Sequence, residues 1–201
     1  MQIHTFRVGQ LETNCYLAID KNEAVIIDPG DDGDFLSEKI LELRVKLKAI
    51  LTTHGHFDHV LGVAELKLNF KAPFLASRKD LFLLKTARKN ALHWTKTDPL
   101  LDVPLPDSYL KDGELLAVGG SQLQVLETPG HTPGGISFHL EKEKILFDGD
   151  LIFKDGVGRT DFAYSSRPDL EKSIKKILNL PPETKVFPGH GNQFLLGDFT
   201  F

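Results

Sequence analysis

The 201-residue chain carries 24 Lys and Arg against 28 Asp and Glu, a net charge of −4 at neutral pH, and has no long basic run. That balance excludes nucleic acid and an anionic membrane surface as principal partners. With 41% hydrophobic and 26% charged residues, the composition is that of a soluble globular protein, read as one domain over residues 1–201.

In chain order, "QIHTFRV" (2–8) alternates apolar and polar residues. "CYLAID" (15–20) and "AVIID" (24–28) follow around a "KNE" turn, so the fold starts antiparallel. The acidic run Asp28–Asp34 is a loop, with Asp34 or Ser37 expected to cap a helix over 35–45. "LKAILTT" (47–53) reads as a buried strand, residues 59–70 as a helix, 73–77 as a strand and 78–90 as another helix. The stretch 93–113 is rich in Pro and Asp and is expected to be irregular, either a pocket wall or a connecting loop. His93 and Trp94, within it, are expected to pack rather than to line a pocket. β patterning resumes at 114–120, 122–129, 135–140 and 144–150. A helix over Asp169–Leu178 and a strand at 185–188 complete the body. Two rounds of alternating strands and helices make a layered α/β domain of two similar halves. The single cysteine, Cys15, rules out an internal disulfide and suits a reducing compartment. No stretch approaches the roughly 18–20 apolar residues of a membrane span. The N-terminus lacks a signal-peptide pattern, which makes the expected location cytoplasmic.

The chain has eight histidines, and three of them fall within "THGHFDHVLG" (53–62), as His54, His56 and His59 around Asp58. His131, Asp150 and His190 each follow a predicted strand, as His54 does. Loops at strand ends meet on one rim of a layered α/β fold. His131 and His190 share the triplet Pro-Gly-His, in which proline and glycine fix a tight turn and remove bulk beside the ring. Five imidazoles and two carboxylates suit zinc, iron or manganese, and the absence of thiolates argues against a closed structural zinc site. Seven ligands exceed what one tetrahedral ion uses, so two divalent transition-metal ions are expected, zinc first among them.

His54, His56, Asp58 and His59 in the pattern H-x-H-x-D-H, followed by His131, Asp150 and His190 and preceded by Asp28 in "VIIDPG", resemble the signature of the metallo-β-lactamase superfamily. The resemblance covers nearly the whole chain and implies a four-layer αββα sandwich with the site on the rim between two sheets. It puts His54, His56 and His131 on one metal and Asp58, His59 and His190 on the other, with Asp150 bridging. Asp28 would orient a ligand histidine, and Asp58 would also orient the attacking hydroxide. "TPGHTPGGISF", "FDGDLIF" and "FPGHG" resemble the glyoxalase II-like hydrolases, in a short form without the C-terminal helical domain of the larger enzymes. That branch implies hydrolysis of S-acylglutathione-like thioesters, with Arg159 of "GVGRTDF" holding a substrate carboxylate. A mononuclear-iron persulfide dioxygenase and a lactonase are the alternatives on the same scaffold.

Overall fold

A computed structural model describes residues 1–200. Its first half runs β1 (Gln2–Val8), β2 (Thr13–Asp20), β3 (Glu23–Ile27), α1 (Gly33–Glu42), β4 (Lys46–Leu51), α2 (Val63–Phe70), β5 (Phe74–Ala76), α3 (Leu81–Leu84), α4 (Ala87–Thr95) and β6 (Ser108–Tyr109). The second half runs β7 (Leu115–Val118), β8 (Ser121–Glu127), β9 (Ile136–Leu140), β10 (Ile145–Gly149), β11 (Ile152–Phe153), β12 (Gly156–Val157), α5 (Arg167–Ile177), β13 (Lys185–Pro188) and β14 (Phe194–Leu195). The six strands of the first half form one sheet in chain order. The second sheet has the order β14-β13-β10-β9-β8-β7.

Alternation of side chains along the strands divides the interior into three cores. In β2 and β3, Leu17 and Ile26 face helices α1 and α2, meeting Leu36, Ile40, Val63 and Leu66. Their neighbours Tyr16, Val25 and Ile27 face the opposite way and meet Val125, Phe138 and Phe147 of the second sheet. In β10 the same alternation turns Phe147 inward and Leu146 outward onto Leu170, Ile174 and Ile177 of α5. Three cores between four layers make the αββα sandwich. Burial on both faces explains why β2 and β3 read as nearly unbroken apolar runs. No helix among the described residues is long and apolar enough to cross a membrane.

Several local expectations change. Asp32, rather than Asp34 or Ser37, occupies the cap position of α1, and its side chain does not cap the helix. Its carboxylate accepts the Gly9 amide at 2.9 Å instead, tying down the β1–β2 turn, while the Ser37 hydroxyl donates to Gly33 O inside the helix. The helix expected over 78–90 is broken. Thr86 donates its hydroxyl back to Phe82 O at 2.9 Å, and α4 starts only at Ala87. Local bonding of this kind competes with a continuous helical ladder. That helix then runs through Thr95, three residues into the stretch read as irregular, and stops where Lys96 adopts a left-handed backbone. The helix read over 59–70 begins at Val63, preceded by a 3-10 turn at 57–59. The short pair β11–β12 and the strand β14 were not expected from pattern, because two-residue strands carry no periodicity.

Candidate metal centre

All seven candidate ligands come together at the C-terminal ends of β4, β8, β10 and β13. Three cation-ready groupings emerge: His54 with His56 and His131; Asp58 with His59 and His190; and His54 with His59 and Asp150. The His56 Nδ1 atom lies 3.0 Å from both His54 Nε2 and His131 Nε2. In the other grouping, Asp58 Oδ2 lies 3.2 Å from His190 Nε2 and 3.6 Å from His59 Nε2. Asp150 stands between them, with Oδ2 at 3.6 Å from His131 Nε2 and 3.9 Å from His190 Nε2, and Oδ1 at 3.7 Å from His59 Nε2.

The donor set fits two metal ions on the geometry of these atoms. A tetrahedral zinc with bonds of about 2.0–2.1 Å spaces its ligands roughly 3.3 Å apart. The His56-centred trio is packed near that spacing, more tightly than unbridged neutral rings require. His59 Nε2 and Asp150 Oδ1 are sealed from solvent and make no hydrogen bond. Buried polar atoms seldom stay unpaired, and a cation between them would satisfy both.

The pattern of protons on the rings follows from what lies behind them. His131 Nδ1 donates to the Arg159 carbonyl at 2.8 Å, which leaves Nε2 free to ligate. His54 Nδ1 donates to Thr53 Oγ1 at 3.1 Å, whose own hydroxyl donates to Asp28 Oδ2 at 2.7 Å. Asp28 is fully buried with a left-handed backbone. It also accepts the Thr53 amide and lies 3.0 Å from His59 Nδ1. One carboxylate thus fixes two of the ligand rings. Sequence reasoning missed Tyr164, whose hydroxyl lies 2.9 Å from His56 Nε2 and so leaves Nδ1 to the cluster. Burial, then the Asp80 carboxylate, push the Tyr164 phenol up to about 12, so it keeps its proton. Tyr164→Phe is expected to weaken the His54–His56–His131 site about tenfold with the fold intact, since partners behind a ligand carry this much affinity; competitive metal titration reads it.

Electrostatics divides the cluster. Burial, and then neighbouring imidazoles, hold His54 well below its ordinary range and pull His56 down to about 3, so both rings present lone pairs at neutral pH. Burial also opposes charge on His59, but Asp58, Asp28 and Asp150 outweigh it and push that ring up to about 10. Burial works against the Asp58 carboxylate too, yet His59 and His190 hold it well below the usual range.

The two Pro-Gly-His turns differ in why they need glycine. A Cβ on Gly189 would come 2.3 Å from Asp150 Oδ1 and 2.7 Å from His59 Cε1, inside the cluster itself. Gly130 has φ +142°, and a Cβ there would meet the Leu170 backbone at 2.3 Å. Strand β2 holds the second turn from behind: Asn14 Nδ2 donates to Pro188 O and Gly191 O, and Tyr16 OH donates to Pro188 O.

A cavity of about 500 Å³ opens over the cluster. The second half supplies one wall with Arg159, Phe162 and Tyr164, and the first half supplies the other with Leu11, Phe57 and Trp94. Trp94 is 65% exposed and lines this cavity, contrary to the expectation that it packs, because α4 turns it away from the buried Ala87–Ala91 face. His93 is exposed at the surface and does not line the cavity. Arg159 lines the cavity, and its guanidinium is paired with Asp161 at 2.6 Å through two atoms and stacks over Phe162.

The family model of the metallo-beta-lactamase superfamily matches residues 8–190. The chain is 37% identical to the hydroxyacylglutathione hydrolase GloC of Haemophilus influenzae, an alignment that covers 98% of this chain and 94% of that one. Among solved structures, the BLEG-1 B3 metallo-beta-lactamase is 33% identical with a TM-score of 0.90, covering 98% of this chain and 95% of that one. TTHA1623, solved in a di-iron-bound form, is 37% identical with a TM-score of 0.88, covering 96% and 95%. The ligand cluster, the sandwich that carries it and these likenesses together make the chain a member of the metallo-beta-lactamase superfamily.

Proposed function

We propose that the protein is a metal-dependent thioester hydrolase that acts on S-acylglutathione-like thioesters with two divalent transition-metal ions, zinc first among them. The observation that carries this reading is the seven-residue cluster, two three-residue groupings with Asp150 between them. Full-length likeness to a hydroxyacylglutathione hydrolase supports the choice of substrate class. His54, His56 and His131 would hold one ion, and Asp58, His59 and His190 the other. Bound there, such a pair supplies Lewis acidity toward the thioester carbonyl and a water deprotonated near neutral pH.

The chain's own residues do the rest. Thr13 donates to Asp58 Oδ2 at 3.2 Å, which fixes that carboxylate toward the cavity. Asp28, Tyr164 and the Arg159 carbonyl hold four rings, His54, His59, His56 and His131, in one proton arrangement, so no reorganisation is needed when substrate arrives. The Arg159–Asp161 pair is well exposed. An exposed ion pair contributes little, so a substrate carboxylate can take the place of Asp161 and gain bidentate hydrogen bonds.

Metal analysis run beside assays on S-lactoylglutathione and on glutathione persulfide tests the reading. The expected result is close to two metal ions per chain with thioester hydrolysis. One iron per chain with oxygen consumption on the persulfide would overturn it in favour of a dioxygenase.

A further inference from the structure

We infer that the protein carries a dedicated apolar pocket for the acyl arm of its substrate, formed by Leu11, Phe57, Leu61, Ala91 and Trp94, and so selects medium-chain acyl groups over short ones. The inference rests on the thioester reading above and adds to it the half of the substrate that the metal cluster does not touch.

Two cavities meet at the Asp58 side of the cluster. The large one adjoins a smaller one of about 80 Å³, and Leu11, Phe57 and Asp58 line both. The smaller cavity runs on between the β1–β2 turn and α4, where Leu61 and Ala91 form its floor. His56, His131 and Arg159 line only the large cavity, on the far side of the cluster. A thioester whose carbonyl lies over the ligands therefore sends its two arms in opposite directions. Arg159 is the only Lys or Arg lining either cavity among the described residues, so the carboxylate-bearing thiol arm belongs on that side. The acyl arm then points at Leu11, Phe57 and Trp94.

That end is built for apolar contact. Trp94 and Leu11 are 65% and 47% exposed, and they stand at the cavity mouth. Two of the polar side chains beside it are tied to neighbours: Gln10 Nε2 donates to Thr97 Oγ1 at 3.1 Å, and Asp31 Oδ1 accepts the Asp32 amide at 2.8 Å. The Gln10–Thr97 bond also joins the β1–β2 turn to the segment after α4, fixing the two sides of the pocket relative to each other. Each methylene moved from water into such a wall strengthens binding by up to about fourfold.

Two readouts on the metal-loaded protein test this. Trp94 is the sole tryptophan of the chain, so its emission reports the pocket without turnover. Titration with butanoate, hexanoate and octanoate is expected to shift that emission to the blue, with Kd falling two- to fourfold per methylene. In parallel, kcat/KM is expected to rise from S-acetyl- through S-butanoyl- to S-hexanoylglutathione, and the hexanoyl-to-acetyl ratio to fall about fivefold in Leu11→Ser. Chain-length-dependent Trp94 emission with no thioester hydrolysed would keep the pocket and overturn the thioesterase reading. Hydrolysis with a flat chain-length profile and a silent Trp94 would overturn the pocket and keep the hydrolase.

Discussion

Asp80→Ala is expected to cost about 3–5 kcal/mol of folding stability and to loosen the His54–His56–His131 grouping, although Asp80 is not a ligand. The residue is buried behind the cluster. Its Oδ2 accepts the Gly55 amide at 2.9 Å and the Thr132 hydroxyl at 2.7 Å, and its Oδ1 accepts the Gly134 amide at 2.7 Å. Gly55 lies between His54 and His56, and Thr132 follows His131, so one carboxylate from the first half clamps the ligand loops of both halves. The glycines make room for it: a Cβ on Gly134 would stand 2.5 Å from Asp80 Cγ, and one on Gly55 2.9 Å from Asp80 Cβ. Alanine would leave three buried donors unpaired, each worth on the order of 1–3 kcal/mol, with water recovering part of the loss. Asp80→Asn keeps the shape but turns an N–H toward one of the donors, and is expected to lose about half as much. Urea midpoints give the stability term. Cobalt substitution gives the second, since a loosened His56 alters the spectrum of that ion and spares the Asp58–His59–His190 ion. Equal disturbance of both ions would mean that Asp80 acts only on the fold.

The candidate ligands were legible because their signal is chemical: three histidines crowd into one six-residue stretch, and His54, His131, Asp150 and His190 each follow a strand. Two rounds of strands and helices made a layered α/β domain of two halves legible, while the four-layer sandwich followed only from the family resemblance. The residues that hold the ligands in place left no comparable mark. Asp80 sits in an ordinary charged triplet, Arg78-Lys79-Asp80, and Tyr164 in an irregular loop. Each acquires its role only when a loop from the other half, or one 108 positions away, is folded against it. Local propensity failed in the same way at Asp32, whose carboxylate was drawn off to Gly9, and at Trp94, whose exposure depends on where α4 docks. Arg159 was readable as a cation near the site. That its backbone carbonyl orients His131 while its side chain pairs with Asp161 is a matter of loop path, which spacing does not encode.

Stripping the protein of metal is expected to give a stability maximum near pH 6.5 that falls away on both sides. The alkaline limb belongs to His59 and His190. Both have pKa values raised by the carboxylates around them, His59 to about 10 from an ordinary 6.5. A group raised in the folded state stabilises fully below its unfolded pKa, and that contribution is lost as the pH climbs from about 6.5 toward 10. The acid limb belongs to His54 and His56, which burial holds neutral, His56 down to about 3. Between about 3 and 6.5 the unfolded chain binds protons that the folded one refuses, so stability falls as the pH is lowered. Each group can change stability by at most about 1.4 kcal/mol per pH unit within its window. Asp58 adds nothing between pH 5 and 9, since it is ionised in both states there. Metal alters the two limbs differently. On the alkaline side an ion at His59 takes the place of the proton and offsets the same three carboxylates, so that limb should flatten. On the acid side the ion must compete with protons for His54 and His56 in the unfolding chain, and the limb should steepen. Thermal melts at pH 5, 6.5 and 9, with chelator and with zinc restored, check both. An alkaline limb equally steep in both series would show that the carboxylates around His59 are not what the metal offsets.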